Sequence, residues 1–159
     1  MIFVTLGTHE LPFTRLLQEV ERCKRTVIPD EEIIVQAGHT AYHSNDMHMH
    51  RFFQFEEMEV LYEQADLLIT HAGTGSVISG LRKNKVVIAA PRLSKFGEHN
   101  DDHQLQLVDV FEAAGHILAL REGDRLENVL EQAYQFQPTV FHSGREKMFG
   151  LLHEFINEA

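Results

Sequence analysis

The chain has 159 residues, of which 43% are hydrophobic and 24% are charged, the composition of one ordinary globular domain. Its 24 acidic and 14 basic side chains give a net charge of −10, which argues against nucleic acid as a partner and against direct adhesion to an anionic membrane surface. The single cysteine, Cys23, excludes an intrachain disulfide and cysteine-based zinc sites, and we expect it to pack as a small side chain on a helix.

The predicted elements alternate between strands and helices along the chain. Apolar runs predict strands at 2–6, 33–36, 51–55, 67–70, 86–90 and 116–120. Helical spacing of apolar residues predicts helices at about 12–25, 58–65, 74–83, 101–114, 124–135 and 141–157. Pro12 suits a first helical turn, Pro91 ends the fifth strand, and Gly115 suits a helix C-cap. The polar segment 38–50 is expected to be a mobile loop between two strands.

Strands that alternate with helices and are apolar on both faces predict a parallel sheet covered on both sides. The predicted fold is therefore an α/β, doubly wound (Rossmann-like) domain with about six strands. Neither an internal repeat nor a shift in composition marks a second domain, so residues 1–159 are assigned to one domain. No apolar run approaches the ~20 residues of a membrane-spanning helix, and the N-terminus lacks the basic region of a signal peptide. These features predict a cytoplasmic protein.

The stretch ITHAGTGSVISG, residues 69–80, joins a predicted buried strand to a helix. In doubly wound sheets, ligands bind at the carboxyl ends of the strands, where this stretch lies. Its glycines let the backbone approach a ligand, and the following helix offers unpaired N–H groups and the positive end of its dipole. Thr74, Ser76 and His71 add further hydrogen-bond donors. The stretch therefore predicts a site for a phosphate or diphosphate.

A plain strand-to-helix turn, with Thr74 or Ser76 as the N-cap, is the alternative interpretation of the same stretch. The stretch lacks the Gly-Lys-Ser/Thr of a P-loop. Neither it nor the first strand-to-helix turn, residues 7–12, has the spacing of a dinucleotide fingerprint. An NAD or FAD cofactor is therefore disfavoured, and no cofactor is predicted.

A second polar cluster, RLSKFGEHNDDHQ at residues 92–104, follows the fifth strand and should lie on the same rim of the sheet. Arg92 or Lys95 would balance phosphate charge. Asp102 and Gln104 would form hydrogen bonds to sugar hydroxyls. The rim would then hold a phosphorylated sugar.

Two other interpretations of residues 92–104 stay open. His99, Asp102 and His103 would form a metal site, because the two histidines stand four residues apart, on one face of a helix. Alternatively, Asn100 or Asp101 caps a helix and the remaining polar side chains are solvated. A metal role is disfavoured for the loop histidines, which no carboxylate pattern accompanies; these are His39, His43, His48 and His50.

Three blocks of the sequence together resemble a known family. FVTLGTHELPFTRLL, ITHAGTGSVISGLRKNKVVIAAPR and KFGEHNDDHQ look like the donor-binding subunit of split bacterial exopolysaccharide and capsule glycosyltransferases. That subunit is similar to the catalytic subunit of the two-part UDP-N-acetylglucosamine transferase of lipid-linked oligosaccharide synthesis. Both resemble the C-terminal half of the lipid II–forming N-acetylglucosaminyltransferase. The resemblance runs from residue 2 to about residue 120, with the blocks in the same order.

The resemblance implies one half of a GT-B glycosyltransferase that binds a UDP-sugar as its substrate. The hexosyl transfer would be inverting and metal-independent, with the helix dipole and nearby donors stabilising the leaving UDP. A second, membrane-anchored polypeptide would bind a polyprenyl-diphosphate-linked acceptor and hold this chain at the inner face of the plasma membrane. Galactose, glucose, glucuronic acid and N-acetylglucosamine all stay open as the donor sugar. The alternative functions are a non-catalytic nucleotide-sugar sensor and a metal-dependent hydrolase.

The resemblance also assigns roles to individual residues by position. The nucleotide diphosphate falls to His71, Gly73, Thr74, Gly75 and Ser76. Contacts with the diphosphate or the donor sugar fall to Glu98, His103 and Gln104. Gly7 and Thr8 form a glycine turn that faces the cleft. His9 or Glu10 beside it would act as the base for the acceptor hydroxyl, unless the second polypeptide supplies that base. Ser79 stands where many relatives carry an acidic residue that binds the ribose.

The last predicted helix, 141–157, carries a broad apolar face. Its members are Phe141, Met148, Leu151, Leu152, Phe155 and Ile156. This face either packs against the sheet or docks the second polypeptide or another copy of the chain, because exposed apolar patches mark interfaces. A homodimer of the isolated chain therefore stays open.

Overall fold

A computed structural model describes residues 1–142 of the chain. The strands in this part are β1 (Ile2–Thr5), β2 (Ile33–Gln36), β3 (His48–His50), β4 (Leu67–His71), β5 (Val86–Ala90) and β6 (Leu118–Ala119). The helices are α1 (Thr14–Thr26), α2 (Phe55–Gln64), α3 (Thr74–Arg82), α4 (His103–Ala113) and α5 (Leu126–Ala133), with a short 3-10 helix at Ser94–Phe96. The helix predicted at 141–157 falls almost wholly outside the described residues.

The six strands form one parallel sheet in the order β3-β2-β1-β4-β5-β6. The chain builds outward from β1 in one direction and from β4 in the other, so the strand order reverses between these two neighbours. The connections on either side of this switch point diverge, and the crevice between them is where α/β sheets bind ligands. The predicted doubly wound fold with a six-stranded parallel sheet is confirmed.

Side chains that alternate along the strands build two separate cores. Ile2 and Val4 point to the face that α1 and α5 cover, whereas Phe3 points to the face that α2, α3 and α4 cover. Because every central strand is buried on both faces, its sequence is a continuous apolar run. Each fully buried aliphatic or aromatic side chain contributes roughly 1.5–3 kcal/mol relative to an exposed one.

The third strand lies earlier than predicted, and the strand predicted at 51–55 is wrong. His48–His50 pairs with residues 34–36, so the end of the segment predicted as a loop is an edge strand. The aromatic run at 51–55 has a high β propensity, but Gln54 and Glu57 form a capping box that starts α2 at Phe55. Both histidines of β3 are exposed, so its sequence shows no apolar run.

The predictions for Gly115 and Cys23 are confirmed, whereas the predicted place of Pro12 in the first helical turn is wrong, because α1 begins at Thr14 with Phe13 as its N-cap. Gly115 follows α4 with a φ of +76°, as its predicted C-cap role requires. The sixth strand covers only Leu118–Ala119, because its ladder with β5 is two residues long. Cys23 is fully buried, and burial raises the pKa of its thiol to about 11, so it packs as a small apolar side chain. None of the helices within residues 1–142 is both long and apolar enough to cross a membrane.

Candidate functional site

A cleft of about 530 Å³ opens at the carboxyl ends of β1, β2 and β4, at the switch point of the sheet. Most of the residues predicted to form the site line it, namely Gly7, Thr8, His9, His71, Gly73, Gly75, Ser76 and Gln104. The two glycine turns, one at Gly7 and Thr8 and the other at residues 71–76, are far apart in sequence. They meet because β1 and β4 are neighbours in the sheet. The structure therefore gathers the first two sequence blocks around one space.

The remaining predicted residues lie outside the lining of this cleft. They are Glu10, Thr74, Arg92, Glu98 and His103. Glu10 is exposed. Glu98 is 3% exposed, and its carboxylate accepts two hydrogen bonds from Arg15, each of 3.0 Å, and one of 3.1 Å from the Leu93 N–H. The Glu98 carboxylate therefore binds groups of the protein itself.

The imidazole of His71 fills the space between the two glycine turns. A Cβ atom on Gly7 would lie 2.3 Å from His71 Nε2, and a Cβ atom on Gly73 would lie 2.2 Å from His71 Cε1. Gly7 also has a φ of +70°, which favours glycine. These two glycines are needed to make room for a histidine as well as for any ligand. A Cβ atom on Gly75 would meet nothing within 4 Å.

This contrast gives a matched pair of variants. We expect Gly73→Ala to lower the free energy of unfolding by about 2 kcal/mol, because its methyl group overlaps the His71 ring in a packed site. We expect Gly75→Ala to raise it by about 0.5–1 kcal/mol, because the methyl group enters open space in a helix. Urea denaturation of both variants measures the difference. Equal effects from the two substitutions would contradict the packing described around His71.

His71 is a neutral hydrogen-bonding group at the floor of the cleft. It is 8% exposed, and its ring lies 3.2 Å from Gln104 Nε2 and 3.4 Å from Ser76 Oγ. Burial, followed by the positive charge of Arg92, lowers the pKa of His71 to about 3. The side chain therefore offers a donor to the cleft without adding a charge at neutral pH.

Helix α3 begins beside this imidazole. Gly73 is its N-cap residue, and no side chain within residues 1–142 caps it, so the predicted alternative with Thr74 or Ser76 as the N-cap is wrong. The N–H groups of the first helical turn have no partner inside the helix, and Gly75 and Ser76 of that turn line the cleft. The positive end of the helix dipole faces the same space, which is an arrangement that favours an anion.

Arg92 lies behind the cleft and joins the loops around it. Its side chain is 1% exposed, and its guanidinium donates to the main-chain oxygens of Leu6 (2.7 Å), Leu11 (2.8 Å) and Glu98 (3.0 Å). The guanidinium carbon lies 5.1 Å from the ring centre of Phe13. Burial lowers the pKa of Arg92 to about 10, so the side chain stays charged at neutral pH. Arg92 therefore holds the first glycine turn and the loop before α4; its contact with phosphate stays a prediction.

The start of α4 supports the capping interpretation only in part, because Asp102 is the N-cap residue and has no side-chain cap bond, and because Arg92, Glu98 and Gln104 are buried rather than solvated. The Asp101 carboxylate accepts the N–H of His103, the first residue of α4, at 2.9 Å. Asp102 accepts the N–H and the hydroxyl of Ser94, and these bonds lower the pKa of the Asp102 carboxyl group. Within residues 1–142 no group of three or more His, Cys, Asp or Glu side chains is arranged to hold a metal ion. The metal interpretation therefore gains no support from the geometry.

Sequence reasoning did not assign several residues that line the cleft. These are Gln36, Phe55, Met58, Glu59, Tyr62 and His99. Ser79, at the position that the resemblance associates with the ribose, also lines the cleft. Gln36 carried a signal, since it is a polar residue at the end of an apolar strand. Its amide donates to Thr5 Oγ1 and accepts the Phe53 N–H, so it ties the ends of β1 and β2 to the start of α2. The residues of α2 have the same spacing as a core-facing helix, so their pattern does not indicate a cleft.

Comparison with known proteins gives the family of the chain. Residues 1–154 match the family described as glycosyltransferase family 28 C-terminal domain. The chain belongs to this family. It is 37% identical over 62 residues to the UDP-N-acetylglucosamine transferase subunit ALG13 of Candida glabrata. That match covers 39% of this chain and 29% of the relative, so the chain matches less than a third of the relative's length.

Solved structures show the same fold. The NMR solution structure of ALG13 superposes with a TM-score of 0.65 at 21% identity, covering 98% of this chain and 96% of that one. The crystal structure of the glycotransferase of kitacinnamycin superposes with a TM-score of 0.62 at 18% identity, covering 98% of this chain but only 39% of that one. The predicted correspondence to the C-terminal half of a GT-B glycosyltransferase is confirmed. The predicted link to bacterial exopolysaccharide or capsule stays a prediction.

Proposed function

We propose that this chain is the donor-binding subunit of a glycosyltransferase that transfers a hexosyl group from a UDP-sugar, with inversion and without a metal ion or other cofactor. The observation that carries the proposal is the convergence of the uncapped N-terminus of α3 and the neutral His71 on one cleft at the switch point. Such a cleft suits a diphosphate, and membership of a glycosyltransferase family supports a nucleotide-sugar.

In this proposal the diphosphate lies against the first turn of α3. The main-chain N–H groups of Thr74, Gly75 and Ser76, the hydroxyls of this turn and the imidazole of His71 donate to it. Gly7 and Thr8 approach it from the neighbouring turn. As the bond from the sugar to UDP breaks, negative charge grows on the diphosphate. The oriented donors and the helix dipole stabilise that charge, which is the role that a metal ion has in other enzymes.

The other predicted residues fall into two groups. Gln104 and His103 approach the diphosphate or the donor sugar from the start of α4, whereas Arg92 and Glu98 hold the surrounding loops. His9 or Glu10, at the first glycine turn, is the candidate base for the acceptor hydroxyl, and the second polypeptide is the other source of that base.

A second polypeptide completes the proposed enzyme. The described residues correspond to one half of a GT-B glycosyltransferase, and the Candida glabrata relative is itself named a subunit, which supports an acceptor bound by another polypeptide. We assign to the second polypeptide a membrane anchor and a polyprenyl-diphosphate-linked acceptor of exopolysaccharide or capsule synthesis. The family 28 chain then works at the cytoplasmic face of the plasma membrane. The relative's name makes UDP-N-acetylglucosamine the first donor to test.

Calorimetric titration of the purified chain with UDP tests the proposal. We expect saturable binding at one site, with the same affinity in excess EDTA, because helix N–H groups rather than a metal ion hold the diphosphate. Turnover of a UDP-sugar by the chain co-purified with a membrane-anchored partner would exclude the alternative of a non-catalytic sensor. Absence of UDP and UDP-sugar binding by both the chain and that complex would contradict the proposed function.

A variant pair locates the nucleotide within the cleft. Gly75→Asp places a carboxylate at the start of α3, where it has room and suits the helix dipole, so the fold is retained. We expect its affinity for UDP to fall by about tenfold or more, because the carboxylate repels the diphosphate. Gln132→Glu adds the same charge on the exposed side of α5 and should bind UDP as the unmodified chain does. Equal affinity in both variants would place the nucleotide elsewhere.

A further inference from the structure

Three imidazoles line the cleft, and two of them lie in or directly beside the glycine turns. His9 follows the first turn, His71 ends β4, and His99 comes from the loop before α4. The rings of His9 and His99 stack with their centres 4.3 Å apart and their planes tilted by 32°. His71 Nε2 faces the first turn, as the position of Gly7 shows. Histidine can be a cation, a base or a neutral donor, so the role of the three rings depends on which nitrogen carries the proton.

The hydrogen bonds at Nδ1 decide that question for His9 and His99. His9 Nδ1 lies 3.0 Å from the main-chain nitrogen of Leu11, and His99 Nδ1 lies 3.3 Å from that of Asp101. A main-chain N–H can only donate, so each Nδ1 must present a lone pair. A neutral ring whose Nδ1 accepts carries its proton on Nε2. Both stacked rings therefore have Nε2–H groups.

The side chain of Gln104 decides the question for His71. Gln104 Oε1 accepts the N–H of Ala72 at 3.2 Å and the N–H of Arg92 at 3.0 Å, which fixes the amide oxygen toward the ends of β4 and β5. The amide nitrogen then faces His71 Nδ1 at 3.2 Å and must donate to it. His71 Nε2 therefore also carries a proton, and it can donate toward Ser76 Oγ at 3.4 Å.

We propose that the cleft binds the diphosphate through three neutral Nε2–H donors, on His9, His71 and His99, and that Gln104 is the positioning residue that sets the proton of His71. This inference rests on the proposed function, from which it takes the diphosphate as ligand. It adds His99 to the binding residues. It also removes His9 as a base in this form, because Nε2 has no lone pair to take the acceptor proton.

Burial and nearby positive groups keep the rings of His9 and His71 neutral. Burial, then His99 and Arg92, lowers the pKa of His9, against a smaller rise from the carboxylates of Glu10 and Asp101. His71 faces Arg92 and the other two rings. Asp101 Oδ1 lies 3.2 Å from His99 Nδ1, but this oxygen already accepts the His103 N–H at 2.9 Å, and the Asp101 main-chain N–H is the group that donates to His99 Nδ1. The three Nε2–H groups can therefore donate to the diphosphate without taking up a proton from solvent.

Long-range 15N–1H NMR of the histidine-labelled full chain tests the tautomers directly. We expect all three rings to give the neutral Nε2–H pattern at pH 7.5, before and after UDP is added. Calorimetry in two buffers with different ionisation enthalpies should then show no net proton uptake on binding. An Nδ1–H or imidazolium pattern with UDP bound would overturn the inference but not the proposed function. Failure of UDP to bind overturns the proposed function, whereas the spectrum of the free chain still tests the tautomers.

Gln104→Glu tests the positioning role with almost no change in shape. One carboxylate oxygen keeps both main-chain bonds, but the other can only accept, so the proton of His71 moves to Nδ1. We expect the Nδ1–H pattern for His71 and about tenfold weaker UDP binding. Gln106→Glu adds the same charge on the exposed side of α4 and should change neither readout. An Nε2–H pattern and unchanged UDP affinity in Gln104→Glu would overturn the assignment.

A second pair tests His99 without relying on Gln104. His99→Gln removes the titrating ring but keeps an amide donor, whereas His99→Phe keeps a ring that stacks on His9 and has no donor. We expect UDP affinity within about threefold of the unmodified chain for the glutamine variant and about tenfold weaker for the phenylalanine variant. Equal losses in the two variants, or no loss in either, would remove His99 from the binding residues.

Discussion

Arg92→Met should lower the free energy of unfolding by about 3 kcal/mol, because three main-chain carbonyl groups lose their donor at once. These are the oxygens of Leu6, Leu11 and Glu98, and the bonds lie in the buried or partly buried interior. Methionine has a similar length but no donor. Each carbonyl left unpaired costs about 1–3 kcal/mol, and removal of a buried charge offsets part of that sum.

Guanidinium chloride denaturation measures this loss, with Arg82→Met as the matched control. Arg82 is exposed on α3, so its substitution should change stability by no more than about 0.5 kcal/mol. The same samples should be titrated with UDP. A fall in stability together with weaker UDP binding is expected of a residue that holds the first glycine turn in place. Unchanged stability with lost UDP binding would instead show that Arg92 touches the ligand directly.

Acidification should destabilise the protein well above the pH at which carboxylates titrate, and His71 is the reason. Its pKa is about 3 in the folded protein against 6.5 in an unfolded chain, so the unfolded state binds the extra proton. The stabilisation is complete above about pH 6.5 and is lost as the pH falls toward 3. One such proton changes the free energy of unfolding by about 2 kcal/mol between pH 6.5 and pH 4.5. Burial lowers the pKa of His9 as well, which acts in the same direction.

Urea denaturation at half-unit steps across this range checks the expectation. The ion-paired carboxylates, such as Glu19 with a pKa below its ordinary 4.5, begin to contribute only below about pH 5, so the upper part of the window isolates the histidines. His71→Gln keeps a polar side chain and removes the titrating group, and its stability should depend much less on pH. A pH dependence as steep in the variant as in the unmodified chain would contradict a buried, neutral His71.

The central sheet could be predicted from the sequence because its strands are buried on both faces. Strands such as Val86–Ala90 are continuous apolar runs, and each is followed by a helical pattern. The edge strand His48–His50 escaped prediction for the converse reason, since two of its three side chains are exposed. The aromatic run at 51–55 was misleading because β propensity is a weak preference, which the capping box of Gln54 and Glu57 overrides.

The candidate site could likewise be predicted only in part. Glycine and hydroxyl residues after an apolar run indicate a turn at a strand end, so the stretch at 71–76 was recognisable without a structure. The roles of Arg92 and Glu98 were not recognisable in this way. The sequence does not tell whether a charged residue next to a predicted site contacts a ligand or another group of the protein. His99 was considered only as a metal ligand, because its stacking on His9 joins two loops that are about ninety residues apart.

The sequence alone determined the doubly wound fold, the rim on which the site lies and, through its three blocks, a glycosyltransferase resemblance. These depend on local periodicity and on short motifs, which a chain carries in its order of residues. Only the tertiary structure decided that Gly7 and Gly73 enclose the ring of His71 and that Arg92 faces carbonyl groups. It also decided that Nδ1 of His9, His71 and His99 each lies beside an amide nitrogen. Those features depend on the approach of β1, β4 and β5 in the sheet. Hydrogen-bond direction and burial exist only once distant segments have met.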